Sequence, residues 1–108
     1  MPIDIILDAN IPKKVKGLNG NRRVLHIGDV DTEMQDEDIL QLTRRLSRCL
    51  LVTHDRELAL KTSKKRKALF IRKSLAPEEI VECIEKNSRL LKTASLFCEN
   101  GVKCKNCR

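Results

Sequence analysis

Four short, mostly apolar runs recur along the chain, and polar stretches of helical character separate them. The runs are IDIIL (3–7), RVLHIGDV (23–30, stopping at Gly28), CLLVT (49–53) and ALFIR (68–72). Runs of this length predict buried β-strands. The intervening patterns predict helices over 11–18, 36–48 and 55–66, the last ending in a basic loop, and a long helix that begins at Pro77. Its apolar stripe consists of Ile80, Val81, Ile84, Leu90 and Leu91.

This alternation of strands and helices predicts the fold class. Short apolar strands joined by helices favour a parallel sheet with helices on both faces. We therefore expect a three-layer α/β/α fold with a central four-stranded parallel sheet, formed by one domain over residues 1–94. Residues 95–108 differ in composition, with three cysteines and no helical stripe, and are treated as an appendage.

Composition narrows the class of protein further. The 108 residues are 41% hydrophobic and 34% charged, which is typical of one globular domain. Aromatic residues make up only 2%, so the core must be aliphatic and base stacking on an aromatic platform is nearly excluded. No apolar run approaches the ~20 residues of a membrane span. The N-terminus carries acids where a signal peptide carries bases, and a cytoplasmic location is expected.

The charged residues point to a phosphate-rich partner and to a possible metal site. The net charge is +7, which favours binding to nucleic acid. Acids nevertheless follow the first three predicted strands; they are Asp8, Asp29, Asp31, Asp36, Asp55 and Glu57. Ligands of an open parallel sheet bind outside the carboxyl ends of its strands. Clustered carboxylates repel one another unless a cation lies among them, and oxygen ligands suit Mg²⁺ or Mn²⁺.

Each acid also has a structural interpretation. Aspartate is a favoured helix N-cap, and acids after strands occur in any α/β protein. Asp36 and Asp55 both precede or open predicted helices, so capping alone would explain either one. Asp8 precedes Ala9 and Asn10 rather than an obvious long helix, which weakens this explanation for it. The three positions taken together favour a metal site.

Three segments of the chain carry a family resemblance. IILDANIPKKV, DEDILQLTRR and LLVTHDREL resemble, in order, three segments of PIN-like nuclease domains, above all the short PIN-like family related to VapC-type toxins. That family has a strand ending in LLDEN-P, a helix start DEEIL and a strand ending in LVT-D-DF. The resemblance covers roughly residues 1–75.

The resemblance assigns roles by position. Asp8, Asp36 and Asp55 match the three metal-binding acids, and Asn10 matches a polar companion of the first. Glu57 stands where the family more often has an aspartate, which makes the geometry of a second metal the weak point. These four acids are the catalytic and metal-binding residues that the resemblance implies. Asp29 and Asp31 have no family role and are assigned to a loop.

The implied activity is hydrolysis of RNA phosphodiester bonds by an Mg²⁺- or Mn²⁺-dependent endoribonuclease. Such a protein could be the toxin of a toxin–antitoxin pair, with an antitoxin protein or a second copy of the chain as partner. The expected RNA-binding residues are basic: Lys61, Lys64, Lys65, Arg66 and Lys67 in one run, and Arg44, Arg45 and Arg48 in another. A charge run can also be only a solvated surface.

Two histidines and five cysteines complete the candidate chemistry. His54 could contact a phosphate or leaving group, although a structural role is more common, and His26 is predicted to be a strand residue with a satisfied ring. Cys98, Cys104 and Cys107 form C-x5-C-x2-C, a potential structural Zn²⁺ site that lacks a fourth ligand unless Cys83 supplies it. Reduced thiols or a disulfide are the alternatives. Cys49 is expected to be a small buried hydrophobe.

The sequence has three alternative interpretations: an inactive PIN-like module, a receiver domain and a TOPRIM-like site. A PIN-like module could have lost activity and bind RNA or protein without cleaving it, a possibility that Glu57 raises. A phosphoacceptor receiver domain would need a neighbouring pair of acids after the first strand, where this chain offers only Asp8. A TOPRIM-like site would use Asp55 and Glu57 but expects a glutamate in place of Asp8.

Overall fold

The structure is a computed structural model that describes residues 3–18, 23–31, 33–46, 49–88 and 96–98. Of residues 18, 87, 88 and 96–98 it describes the backbone alone. The strands are β1 (Ile5–Leu7), β2 (Val24–His26), β3 (Leu50–Thr53), β4 (Lys67–Phe70) and β5 (Leu96–Cys98). The α-helices are α1 (Lys14–Leu18), α2 (Asp36–Arg45), α3 (Arg56–Ser63) and α4 (Pro77–Ser88), and a 3₁₀ helix spans Ile27–Asp29.

The strands form one parallel sheet in the order β2-β1-β3-β4-β5. The four predicted strands are all present, and the prediction of a three-layer α/β/α fold is confirmed. The chain moves outward from β1 to β2 and then crosses back to β3, so β1 and β3 flank the switch point of the sheet. In doubly wound sheets of this order, ligands bind beside this point, outside the carboxyl ends of the strands.

Side chains of successive strand residues explain the two helical layers. Leu50 and Val52 of β3 belong to a buried cluster that includes Val15 of α1 and Ile80 of α4. Leu51, between them, points to the other face, where a second cluster contains residues of α2 and α3, Ile39 and Leu58 among them. Since β-strand side chains alternate between faces, an unbroken apolar strand must be covered on both sides. Cys49 is buried in the second cluster, as expected, and burial raises the pKa of its thiol.

The second strand is shorter than predicted. It ends at His26 rather than at Gly28, because the Gly28 amide donates to His26 Nδ1 (3.0 Å) and turns the chain into the 3₁₀ helix. A Cβ at Gly28 would lie 2.9 Å from the His26 ring, so the close turn requires glycine. His26 Nε2 contacts the carbonyl oxygen of Ile11 (2.7 Å), and the ring is buried. The prediction of a satisfied structural histidine is confirmed.

The C-terminal stretch contributes a strand that the sequence pattern did not predict. Residues 96–98 pair in parallel with β4, with Leu96 beside Ala68 and Cys98 beside Phe70. Three residues are too few to show strand periodicity, so only the neighbouring edge of β4 reveals the pairing. The rest of the appendage, with Cys104 and Cys107, lies outside the described residues, as do Arg48, Leu90, Leu91 and the predicted boundary at 94.

Arg66 has a structural role that its position in a basic run does not indicate. Its Nε donates to the carbonyl oxygens of Thr43 (2.9 Å) and Leu46 (3.2 Å), and Nη2 donates to that of Arg44 (2.9 Å). Thr43 and Arg44 belong to the last turn of α2 and Leu46 follows its last residue, so these carbonyls lie where helix geometry leaves acceptors without intrahelical donors. Arg66 therefore caps α2 from the loop before β4 and ties the ends of α2 and α3 together. The guanidinium that the sequence predicts to contact RNA thus bonds backbone carbonyl groups in the structure.

We expect Arg66→Gln to lower the free energy of unfolding by about 1–3 kcal/mol, because it leaves helix-terminal carbonyls without a charged donor. Urea denaturation followed by circular dichroism measures the change. Lys65→Gln is the control, since it removes the same charge from an exposed neighbour and should change stability by no more than about 0.5 kcal/mol. Equal stability of the two variants would contradict the capping role.

No described helix is long and apolar enough to cross a membrane.

Candidate active site

The candidate site begins with a hydrogen-bonded chain across the switch point. Asp8 directly follows β1 and is 7% exposed, and its Oδ2 accepts a bond from the Thr53 hydroxyl at 2.6 Å. The same Thr53 Oγ1 accepts the backbone N–H of Asp55 at 2.9 Å. Thr53 thus connects the carboxylate at the end of β1 to the backbone that carries the acid after β3. The parallel register brings Asp8 and Thr53 together. Leu7 of β1 lies beside Val52 of β3, and Asp8 and Thr53 are the residues that follow these two at the same edge of the sheet.

Asp8 is held at a second point as well. Its Oδ1 accepts the backbone N–H of Ala9 at 2.7 Å. Each carboxylate oxygen carries further lone pairs beyond the one that these bonds use. The carboxylate is therefore fixed in orientation while it retains capacity to accept from, or bind, another group.

Asp55 is a helix cap, as the structural interpretation expected. Its Oδ1 accepts the backbone N–H groups of Glu57 (3.0 Å) and Leu58 (3.2 Å), which satisfies donors of the first turn of α3. Both bonds use the same oxygen, and no bond between described residues uses Oδ2. Capping accordingly occupies one side of the carboxylate and does not exclude a second role for the other.

Asp36 is connected to the site by the charges of the other acids, which act on its carboxyl group. It is the half-buried first residue of α2, which packs on the opposite face of the sheet from α1. Burial raises the pKa of the Asp36 carboxyl, and the negative charge of Asp55 raises it further, with smaller contributions from Asp8 and Glu57. Lys61 acts in the opposite direction. The pKa of Asp36 thus responds to all three of the other predicted acids.

The four acids are near one another without forming a finished metal cage. Within the part of the chain that the structure describes, no three His, Cys, Asp or Glu side chains are arranged to hold one metal ion. The donor chemistry still fits Mg²⁺ or Mn²⁺, since Mg²⁺ is commonly bound through one or two carboxylates, with waters and substrate phosphate completing its shell. The residues suit an open site of that kind rather than a closed protein cage.

The raised pKa of Asp36 gives a direct test of this proximity. We expect NMR titration of the side-chain carboxyl carbons to place it above the ordinary aspartate pKa, and Asp55→Asn to lower it by removing a nearby negative charge. Asparagine caps helices as well as aspartate does, so α3 should persist. Because the folded state raises this pKa, the stability contributed by protonated Asp36 is present at low pH and is lost as the pH rises through the raised value.

Asp29→Asn is the matched control for this titration. Asp29 follows β2 at the same edge, but its carboxylate pairs with Lys13 (3.2 Å) and Lys16 (3.1 Å), and these lysines lower its pKa. Its removal should leave the titration of Asp36 unchanged. An Asp36 pKa that is the same in the wild type and in Asp55→Asn would show that the two carboxylates are not close.

His54 and Asn10 support the edge of the site. His54 Nδ1 lies 2.6 Å from the carbonyl oxygen of Ile71, and because a carbonyl only accepts, Nδ1 carries the proton. The His54 backbone N–H donates to Asn10 Oδ1 over a long 3.4 Å. These contacts tie the loop after β3 to the ends of β4 and β1. Asn10 is therefore a structural companion of the loop that carries Asp55, as well as a neighbour of Asp8.

Glu57 and the potential zinc ligands are less defined. Glu57 is exposed in the first turn of α3, and no bond between described residues fixes its carboxylate. Cys83 is buried in the core between the sheet and α4, a poor position for the fourth ligand of a tail site. The side chains of Cys98, Cys104 and Cys107 lie outside the described part, and the zinc site stays a prediction.

Thr53 is the site residue that the sequence analysis missed. Its position, last in a buried strand and two residues before a helix-capping aspartate, is a recognisable signal. A threonine hydroxyl there can accept the N–H two residues later, as it does from Asp55. Its bond to Asp8, 45 residues away in sequence, depends on the pairing of β1 with β3.

A comparison of the chain with protein-family models, curated proteins and solved structures finds no match. The PIN-like resemblance of the three short segments consequently stays a prediction.

Proposed function

We propose that this protein is a divalent-metal-dependent endoribonuclease whose active site is the carboxyl edge of the sheet around β1 and β3. The observation that carries the proposal is the convergence of Asp8, Asp55 and Asp36 from three separate segments of a chain with net charge +7. Repelling carboxylates on a basic protein cost stability, and a cation among them would remove that cost. The PIN-like resemblance of the same segments supports RNA as the substrate.

In this proposal the four acids, Asp8, Asp36, Asp55 and Glu57, would hold Mg²⁺ or Mn²⁺. The ion, when bound, lowers the pKa of a water and stabilises charge on the phosphate and the leaving oxygen. The chain contributes orientation: Thr53 and the Ala9 amide fix the Asp8 carboxylate, and the Thr53 hydroxyl holds the start of the loop that carries Asp55. A carboxylate at this edge would take the proton of the attacking water.

The PIN-like resemblance also implies a biological setting for the proposed enzyme. A cytoplasmic toxin neutralised by an antitoxin, acting as a monomer or homodimer, is compatible with it. Co-expression with a neighbouring small gene, followed by co-purification, would identify such a partner.

Cleavage of a labelled single-stranded RNA, with a DNA of the same sequence beside it, tests the activity. We expect Mn²⁺ to support cutting of the RNA and excess EDTA to abolish it. RNA that stays intact with every divalent ion tested would reject the enzyme.

A non-catalytic RNA- or protein-binding module is the second candidate. It is favoured by the structural use of the two central acids, since Asp8 and Asp55 both accept bonds that stabilise the fold, and by the exposed Glu57. This candidate predicts salt-dependent binding of RNA without cleavage under any metal condition.

A further inference from the structure

Four of the predicted RNA-binding residues lie at the opposite edge of the sheet from the acids; they are Arg44, Arg45, Lys64 and Lys65. Every strand is parallel, so each helix begins at the carboxyl edge and ends at the amino edge. Asp36 is the first residue of α2, whereas Arg44 and Arg45 are its last two. Likewise α3 begins beside Asp55, and Lys64 and Lys65 follow its final residue. The basic residues are therefore about 12–15 Å from the acids, the length of helices of 8–10 residues.

The two basic pairs are neighbours in space because of Arg66. Its guanidinium donates to the carbonyl oxygen of Arg44 through Nη2 and to that of Lys65 through Nη1, both at 2.9 Å. One side chain thus bonds the backbone of both pairs. We name the surface of Arg44, Arg45, Lys64 and Lys65 the amino-edge patch; all four residues are exposed.

The segments that carry this patch contain no acid among their described residues. The sequence has no Asp or Glu from 39 to 54 or from 58 to 77. The ion pairs between described residues involve Lys13, Lys14 and Lys16 near α1, and none includes a residue of the patch. The other face differs, since α4 carries Glu78, Glu79, Glu82 and Glu85 against a single lysine, Lys86. Among the described residues of α2, α3 and α4, the positive charge is consequently concentrated at the ends of α2 and α3.

Lys61 lies between the two edges. It is exposed on α3, between Asp55 at the start of the helix and Lys64 just beyond its end. A line from the acids across Lys61 to the amino-edge patch therefore follows α3 and contains positive charge at its middle and its far end.

We propose that the amino-edge patch is an RNA-backbone exosite, and that a bound RNA strand runs along α3 from the patch to the acidic edge. The choice of RNA rests on the proposed function, whereas the position and charge of the patch do not. At about 3.4 Å per stacked nucleotide, the path spans about four nucleotides. A dinucleotide can occupy the acidic edge alone, and only a longer RNA can reach both surfaces.

Binding measured without cleavage tests the exosite. The probe is a fluorescein-labelled 20-nucleotide RNA of mixed sequence, titrated in EDTA and followed by fluorescence anisotropy at several salt concentrations. Lys64→Gln/Lys65→Gln should weaken binding about fivefold or more at low salt and reduce the salt slope by about one to two, because two phosphate contacts are lost. The control Lys16→Gln/Lys86→Gln removes the same charge from the face of α1 and α4 and should change affinity less than about twofold.

A cleavage assay separates failure of the exosite from failure of the enzyme. The patch variant should cut the 20-nucleotide RNA with a raised KM and an unchanged kcat, and should cut a dinucleotide as the wild type does. If the patch and control variants bind RNA equally well, the exosite proposal is wrong. If they also still cleave RNA, the proposal of a nuclease is unaffected. Patch-dependent binding without any cleavage would retain the exosite and reject the nuclease.

Discussion

Asp8→Asn is expected to reduce RNA cleavage at least about 100-fold, the scale of losing an essential ionised group in the reaction. Asparagine has the same shape and can still accept the Ala9 N–H, but it brings no negative charge to a cation. The fold should survive, because the Thr53 hydroxyl can rotate to accept from the new amide. Single-turnover cleavage in Mn²⁺ measures the first effect, and urea denaturation shows that the variant is folded.

Asp4→Asn is the matched control for this experiment. Asp4 precedes β1 at the amino edge and is exposed, and its carboxylate accepts the Arg23 N–H (3.2 Å). It removes one negative charge from the other end of the same strand, and cleavage should stay within about twofold of wild type. Equal rates in Asp8→Asn and Asp4→Asn would remove Asp8 from the mechanism.

Thr53→Val is expected to impair both stability and activity. The substitution keeps the shape of a fully buried side chain but removes the hydroxyl that donates to Asp8 and accepts from Asp55. Leaving these groups without a partner should lower the free energy of unfolding by about 1–3 kcal/mol. Loss of the orienting bond should also lower cleavage about 10- to 100-fold, as for groups that position metal ligands.

Thr62→Val offers a matched control within the same chain. Thr62 is also buried, at 1% exposed, yet its hydroxyl has no hydrogen-bond partner among the described residues. Replacing an unsatisfied buried hydroxyl with a methyl group should leave stability unchanged or raise it. Similar losses in the two variants would mean that the cost at Thr53 comes from packing and not from its two hydrogen bonds.

The strands and layers could be predicted because burial on two faces leaves a local signature. LLVT must be covered on both sides, and its neighbours IIL and ALF have the same property. The end of β2 was not predictable in the same way, since it depends on a turn in which the His26 ring accepts the Gly28 amide. The strand at 96–98 depends on an open edge of β4 that no local pattern reveals.

The acids could be found for a topological reason, whereas their supports could not. Carboxyl ends of parallel strands share an edge, so the order of strands alone predicts that Asp8 and Asp55 are neighbours. In the sequence, Arg66 is one basic residue in a run of lysines. Its role as a cap depends on the end of α2 lying beside it in the folded structure. Lys64 and Lys65 of the basic run are exposed, whereas Arg66 and Lys67 are partly buried, and the distance of Lys64 and Lys65 from the acids follows from helix direction.

Binding of Mn²⁺ to the EDTA-stripped protein tests the central claim most directly. Electron paramagnetic resonance of free Mn²⁺ counts the bound ions in the wild type, in Asp55→Asn and in the control Asp29→Asn. The four converging acids predict saturable binding by the wild type and the control, and a loss of affinity of about tenfold or more in Asp55→Asn. Absence of saturable binding, or equal binding by all three proteins, would contradict the claim that this edge of the sheet holds a divalent cation.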